Sequence, residues 1–175
     1  MRAIDVFADF SLLTDAMASE AMARLEHPDS LGDVAARIFC AAPRIRSMAA
    51  DASRRGLWRI LDLEPVAACG RAMSAAANSG RPLLVLTGGI EPGCEAVGVL
   101  LAALDDDPMI GFASPRLTGS SGHGIAALDE GGDRALPEMP RRLLAELPPS
   151  YLVADARSRC LLIKPDVLAD FGQLD

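Results

Sequence analysis

Short apolar runs alternate with longer amphipathic segments over the first two thirds of the chain. The apolar runs have the length of strands and occupy residues 3–8, 35–42, 57–63, 82–86 and 110–113. The segments between them have the apolar spacing of helices, over residues 14–26, 43–55, 65–77 and 94–104. This alternation of strand and helix predicts an α/β fold with a doubly wound, mainly parallel sheet.

Local signals mark the ends of several predicted elements. Thr14 is a suitable N-cap for the first helix, and Pro28 follows that helix as a breaker. Gly80 is placed to end the Ala-rich helix that starts at Pro65. Residues 82–86 (PLLVL) are apolar throughout, which predicts a central strand that is buried on both faces.

Turn-rich sequence becomes frequent after Pro115, with a cluster of Gly and Ser over 118–124. Short strands and helices are predicted among these turns, over residues 124–128, 140–147, 151–154, 159–163 and 165–171. We therefore expect one domain over 1–175. In it, a parallel half (1–116) is followed by a mixed, loop-rich part (117–175).

Composition and charge narrow the class of protein. Half of the 175 residues are hydrophobic, as in a globular domain with a sizeable core. The net charge of −7 argues against a nucleic-acid partner, because such partners require clustered Lys and Arg. No apolar run reaches the about 20 residues that span a bilayer, and the first residues lack a signal-peptide core. We therefore expect a cytoplasmic protein without a transmembrane segment.

The cysteine pattern does not predict a metal site. The four cysteines, at 40, 69, 94 and 160, form no Cys-x-x-Cys pair, and the chain has only two histidines. Cys40 and Cys160 lie in apolar runs that are predicted to be strands. We expect them to be buried, reduced thiols.

The stretch from Pro82 to Pro115 contains an ordered set of short motifs. After the apolar strand, Glu91-Pro92-Gly93 provides a helix start, and the predicted helix follows. Asp107-Pro108 then forms a turn, and residues 111–116 (GFASPR) end the next strand.

In the order and spacing of these motifs, the chain resembles family 2 glycosyltransferases. Later segments match as well, since CLLI at 160–163 precedes a short helix and Phe171-Gly172. The resemblance covers most of the chain but is specific only from about Pro82 onward. It implies the GT-A fold, an α/β sandwich that binds a nucleotide-diphosphate sugar at the carboxyl ends of its strands.

The resemblance also implies a metal site, and here the chain departs from the family. Family members follow the central strand with an Asp-x-Asp motif, which holds Mg²⁺ or Mn²⁺ on the donor diphosphate. This chain has residues 87–91 (TGGIE) instead, with Gly89 where the principal aspartate is expected. Glu91 is the nearest acid. It is either a metal ligand in a shifted register or an acid favoured by the helix dipole.

Other family carboxylates are also absent. Residues 40–43 (CAAP) end the second strand without an acid. Asp9, after the first strand, either contacts a ribose or caps a turn. The family's general base lies beyond the Phe-Asp segment, and the chain ends at Asp175 before that region. The implied nucleotide-sugar site comprises Asp9, Thr87, Gly88, Gly89 and Glu91, with Mg²⁺ or Mn²⁺ only in an active enzyme.

Three functions remain open at this point. The first is transfer of a sugar from a nucleotide-diphosphate donor to a polysaccharide or lipid-linked acceptor. The second is a catalytically inactive GT-A-like module for binding or assembly, and the third is an unrelated doubly wound domain. Two further motifs favour structural roles. The loop 119–124 around His123 lacks a P-loop lysine, and Asp105 to Asp107 are expected to form a solvated turn.

Overall fold

The computed structural model describes residues 2–31, 34–41, 58–90, 92–115 and 159–171. The chain divides into two compact units, which are Met1–Ser114 with Arg159–Asp175, and Pro115–Ser158. Every helix and strand described below belongs to the first unit. Four predicted elements lie outside the described residues, and these are 43–55, 124–128, 140–147 and 151–154.

Among the described residues, six strands form one mixed, mostly parallel sheet. They are β1 (Arg2–Asp9), β2 (Val34–Ala41), β3 (Trp58–Leu61), β4 (Leu83–Thr87), β5 (Phe112–Ala113) and β6 (Cys160–Ile163). Their order across the sheet is β3-β2-β1-β4-β6-β5. β1 pairs in parallel with β2 and β4, and β2 pairs in parallel with β3, whereas β6 is antiparallel to β4 and β5. The predicted α/β fold with a mainly parallel sheet is confirmed.

Five helices accompany these strands in the described ranges. They are α1 (Asp15–Leu25), α2 (Pro28–Leu31), α3 (Pro65–Ser79), α4 (Cys94–Asp106) and α5 (Pro165–Phe171). The helices predicted over 14–26, 65–77, 94–104 and 165–171 are confirmed, with ends within two residues of the prediction. No helix in this part of the chain is long and apolar enough to cross a membrane.

A single residue explains where α1 begins, and another explains where α3 ends. The side chain of Thr14 accepts a hydrogen bond from the backbone N–H of Met17 at 3.4 Å, so it caps α1 as predicted. Gly80 follows α3 with a φ of +63°, a left-handed conformation that glycine adopts without steric cost. Both boundaries therefore follow from the local sequence.

Helices cover both faces of the sheet and form two apolar clusters with it. Ile4 and Val6 of β1 belong to the cluster formed with α1 and α4. Phe7 belongs to the cluster on the other face, where α3 contributes Ala72 and Ala76. Because successive strand residues point to opposite faces, β1 is buried on both sides. The small alanine side chains allow α3 to pack close to the sheet.

β6 lies inside the sheet, between β4 and β5. It pairs with β4 from Leu83–Ile163 to Leu86–Cys160, and its other edge pairs with β5. The sequence predicts a strand over 159–163 in the loop-rich part of the chain but does not indicate its partner. Cys160 and Leu162 have no exposed surface, so β6 completes the core built by the parallel strands.

Asp5 is a charged residue in the middle of β1 with no exposed surface. Both of its carboxylate oxygens accept hydrogen bonds from the guanidinium of Arg37 on β2, and Arg37 Nε lies 3.0 Å from Oδ1. The hydroxyl of Ser79 donates to Oδ2 at 3.3 Å, and Nη1 of Arg81 lies 3.7 Å from Oδ1. This ion pair ties β1 and β2 to the end of α3.

Asp5→Ala is expected to lower the free energy of unfolding by about 3 kcal/mol, because Arg37 and Ser79 would lose a buried partner. Asp105 provides a matched control, since it forms an exposed ion pair with Arg2. Asp105→Ala should cost much less, because exposed pairs contribute little. Urea denaturation of both variants measures the difference. Equal losses in the free energy of unfolding would show that the buried ion pair contributes no more to stability than the exposed one.

Candidate functional site

The carboxyl ends of β1 and β4 lie side by side where the strand order changes direction. From β1, the chain continues to β2 and β3 on one side, and β4 then lies on the other side of β1. In open α/β sheets, ligands bind outside the carboxyl ends of the strands at such a switch point. Asp9 and Thr87 are paired at this edge. Two of the predicted site residues are therefore neighbours, and Gly88 directly follows them.

Asp9 organises the turn after β1. Its Oδ1 accepts a hydrogen bond from the backbone N–H of Ser11 at 2.8 Å. Its carbonyl oxygen accepts a second hydrogen bond, from the N–H of Gly88 at 3.1 Å. The side chain thus caps a turn, which is one of the two roles considered from the sequence. The carbonyl contact links the end of β1 to the glycine pair after β4.

Gly88 and Gly89 form a turn after β4 that favours glycine. Their φ angles are +69° and +72°, in the left-handed region. A Cβ atom at Gly89 would lie 2.8 Å from Cδ1 of Leu13. An aspartate at this position therefore requires both a strained backbone, which costs about 1–2 kcal/mol, and a displaced Leu13.

The described residues at this edge do not fit the Mg²⁺ or Mn²⁺ that the family resemblance implies. Such ions take carboxylate and carbonyl oxygens as ligands, and the glycine pair has no side-chain oxygen. Oδ1 of Asp9 is already a hydrogen-bond acceptor for Ser11. Within the described ranges, no group of three or more His, Cys, Asp or Glu residues is arranged to hold a metal ion. Glu91, the remaining predicted candidate, lies outside the described residues.

Arg159 reaches the same edge because it directly precedes β6, which runs antiparallel to β4. Its carbonyl oxygen accepts a hydrogen bond from the N–H of Thr87 at 2.9 Å. Its side chain is exposed, and its Nη1 would lie 3.7 Å from a Cβ atom placed on Gly88. No described carboxylate forms an ion pair with it. Sequence reasoning missed Arg159, because the sequence does not indicate which edge of the sheet this residue meets.

A small cavity of about 130 Å³ lies between α1 and the glycine turn. Leu13, Met17 and Ala21 contribute apolar surface, and the ion-paired side chains of Glu20 and Arg24 complete the lining. Small-molecule sites usually measure about 300–1,000 Å³, so this cavity alone is too small for a nucleotide. The candidate site is therefore the open carboxyl edge of β1 and β4.

The other motifs considered from the sequence do not add to this edge. Asp105 lies in the last turn of α4 and is an exposed partner of Arg2. Oδ1 of Asp107 accepts a hydrogen bond from the N–H of Met109 at 2.8 Å, which stabilises the turn before β5. The loop 119–124 with His123 lies outside the described residues.

Comparisons of the chain with protein-family models and with curated proteins give no match. Any functional assignment therefore depends on the fold and on the residues at the carboxyl edge. The glycine turn, Asp9 and Arg159 are the features of that edge that distinguish it chemically.

Cys40 and Cys160 are buried thiols that belong to no disulfide, as predicted. Burial raises the pKa of the Cys40 thiol to about 12, and the nearby carboxylate of Asp9 adds to the effect. Burial also raises the pKa of the Cys160 thiol to about 11. Both thiols are protonated at neutral pH, so neither is suited to act as a nucleophile.

The raised thiol pKa values predict a loss of stability in alkaline solution. In the unfolded chain the thiols ionise near pH 9, whereas Cys40 and Cys160 remain protonated until about pH 12 and 11. Above pH 9 the folded state therefore binds more protons, and the free energy of unfolding should fall by up to about 1.4 kcal/mol per pH unit for each thiol.

Urea denaturation between pH 8 and 11, with a reductant present, measures this slope. Cys40→Ala removes one of the two thiols and should make the pH dependence visibly shallower than in the wild-type chain. Identical slopes for the two proteins would contradict the assignment of a raised pKa to Cys40.

Proposed function

We propose that this chain is a family 2-like glycosyltransferase domain that binds a nucleotide-diphosphate sugar and moves the sugar to a polysaccharide or lipid-linked acceptor. The observation that carries the proposal is the position of the glycine turn. Gly88 and Gly89 follow the central strand β4, and Gly88 donates a hydrogen bond to the end of β1, at the switch point of the sheet. The segment that resembles the family thus coincides with the edge where α/β sheets bind nucleotides.

The strand order supports a GT-A-like arrangement of this edge. Four parallel strands, β3-β2-β1-β4, lie next to one another, and helices pack on both faces. The helix α4 begins shortly after β4, so its N-terminus lies at the carboxyl edge of the sheet. The partial positive charge of a helix N-terminus favours an anionic group such as a diphosphate.

The proposed donor site comprises the ends of β1 and β4 with the turn between β4 and α4. Asp9 and Thr87 form the floor of the site, and the glycine pair allows a ligand to approach the backbone closely. Glu91 is retained in the proposal because it leads into α4. The acceptor and its activating base are not assigned to any described residue.

A second candidate function is a catalytically inactive GT-A-like module that binds a nucleotide sugar or supports assembly. The geometry of Gly89 favours this alternative. Its positive φ and its contact with Leu13 mean that a metal-binding aspartate does not fit without rearrangement of the turn. The backbone of the turn is suited to glycine, so replacing one glycine by an aspartate would not by itself restore a metal site.

Calorimetric titration of the full chain with UDP, GDP and dTDP sugars, with and without Mn²⁺, tests the proposed function. At least one of these donors is expected to bind. Absence of binding to every nucleotide under both conditions would reject a donor site in this chain. A release of free sugar or a transfer to added acceptor would separate the active enzyme from the inactive module.

Gly88→Leu is expected to weaken donor binding at least about tenfold, because its side chain would occupy the edge where the ligand lies. Gly80→Leu is the matched control. Both glycines have positive φ angles, of +69° and +63°, so both variants suffer similar backbone strain. However, Gly80 precedes β4 and therefore lies at the opposite end of that strand. Equal donor affinities in the two variants would place the nucleotide elsewhere.

Gly89→Asp tests whether the lost metal site can be restored by one substitution. We expect the variant to be less stable by about 1–3 kcal/mol, because of backbone strain and overpacking against Leu13. It should gain no Mn²⁺-dependent nucleotide binding. Thermal denaturation measures the first effect, and calorimetry with Mn²⁺ measures the second. A gain of metal-dependent binding would show that the turn still accommodates the family's metal site.

A further inference from the structure

A guanidinium group lies where the family resemblance leads us to expect carboxylates and a metal ion. Nη1 and Cδ of Arg159 would lie 3.7 and 3.9 Å from a Cβ atom on Gly88. The arginine side chain is therefore in van der Waals contact with the space that a side chain at position 88 would occupy. It does so at the open carboxyl edge, where the N–H of Gly88 binds the carbonyl oxygen of Asp9.

The backbone that carries Arg159 is well anchored although its side chain is exposed. The carbonyl oxygen of Arg159 accepts the N–H of Thr87 at 2.9 Å. The next residue, Cys160, has no exposed surface and pairs with Leu86 in the sheet. The Cα atom of Arg159 is therefore held at this edge, so its guanidinium stays within side-chain reach of the glycine turn.

Other basic residues are less suited to this role. Most of those in the described ranges already contact a carboxylate or a backbone carbonyl, and these are Arg2, Arg24, Arg37, Arg81 and Lys164. Arg59 and Arg71 lie within β3 and α3 and not at the ends of β1 and β4. Arg159 thus combines an unengaged guanidinium with a place at the switch point.

We infer that Arg159 binds the diphosphate of the nucleotide donor directly and neutralises its charge in place of a divalent metal ion. This inference rests on the proposed function. A guanidinium keeps its positive charge at all physiological pH values and donates paired hydrogen bonds that match phosphate oxygens. The glycine pair complements it, because a carboxylate at position 88 or 89 would pair with the arginine and compete with the phosphate.

The inference predicts nucleotide binding that does not require a metal. The full chain is titrated with UDP, GDP and dTDP in EDTA and again in Mn²⁺, and the affinities should agree. Arg159→Gln should weaken binding of the preferred diphosphate by about tenfold or more, as expected for the loss of a charged hydrogen bond. Arg159→Lys should retain part of the affinity. Arg71→Gln, on the exposed surface of α3, should behave as wild type.

The monophosphate of the same nucleoside gives a readout that a structural role would not change. If Arg159 binds the second phosphate, Arg159→Gln should reduce the preference for diphosphate over monophosphate, while its thermal stability stays unchanged. Diphosphate binding that is unaffected by Arg159→Gln, or that requires Mn²⁺, would overturn this inference and leave the proposed function standing. Absence of binding by the wild-type chain to any of the nucleotides would reject both.

Discussion

The parallel pairing of β1 with β4 is the constraint on which the described unit depends. β1 is buried on both faces, so its alternation assigns Ile4 and Val6 to one apolar cluster and Phe7 to the other. A shift of register by one residue would exchange these faces. The same register sets Asp9 opposite Thr87 and lets the carbonyl of Asp9 bind the N–H of Gly88. The register of β1 with β4 therefore determines both the packing of the core and the geometry of the carboxyl edge.

The glycine turn determines which ligands suit this edge, because it disfavours a metal-binding carboxylate. Left-handed backbone at Gly88 and Gly89 strains any aspartate there, and an aspartate at position 89 would also displace the side chain of Leu13. With no carboxylate in the turn, the guanidinium of Arg159 has no competing partner there. Both proposals use this geometry, since a glycine turn without carboxylates is suited to bind an anion through nitrogen donors. The proposed site lies at the same edge of the sheet as a metal-dependent site would, but the glycine turn contributes no carboxylate to it.

The two carboxylates of β1 illustrate the difference between structural and accessible charge. Asp5 is the more deeply buried, and Arg37, Ser79 and Arg81 surround its carboxylate. Both of its carboxylate oxygens already accept hydrogen bonds from these neighbours. Asp9 lies at the open end of the strand, where one of its oxygens holds the turn at Ser11. Position along the strand thus determines which of the two can take part in binding.

The sequence by itself determined the local features of this protein. The cap at Thr14, the helix end at Gly80 and the apolar strand predicted over 82–86, found at Leu83–Thr87, depend on neighbouring residues, and all three were predicted. The glycine pair was also visible, and with it the lack of metal ligands. Only the tertiary structure decided where β6 inserts, which brings Arg159 to Gly88, and that Leu13 fills the space beside Gly89. These contacts join residues far apart in the chain, and local propensity contains no information about which distant strand a segment will pair with.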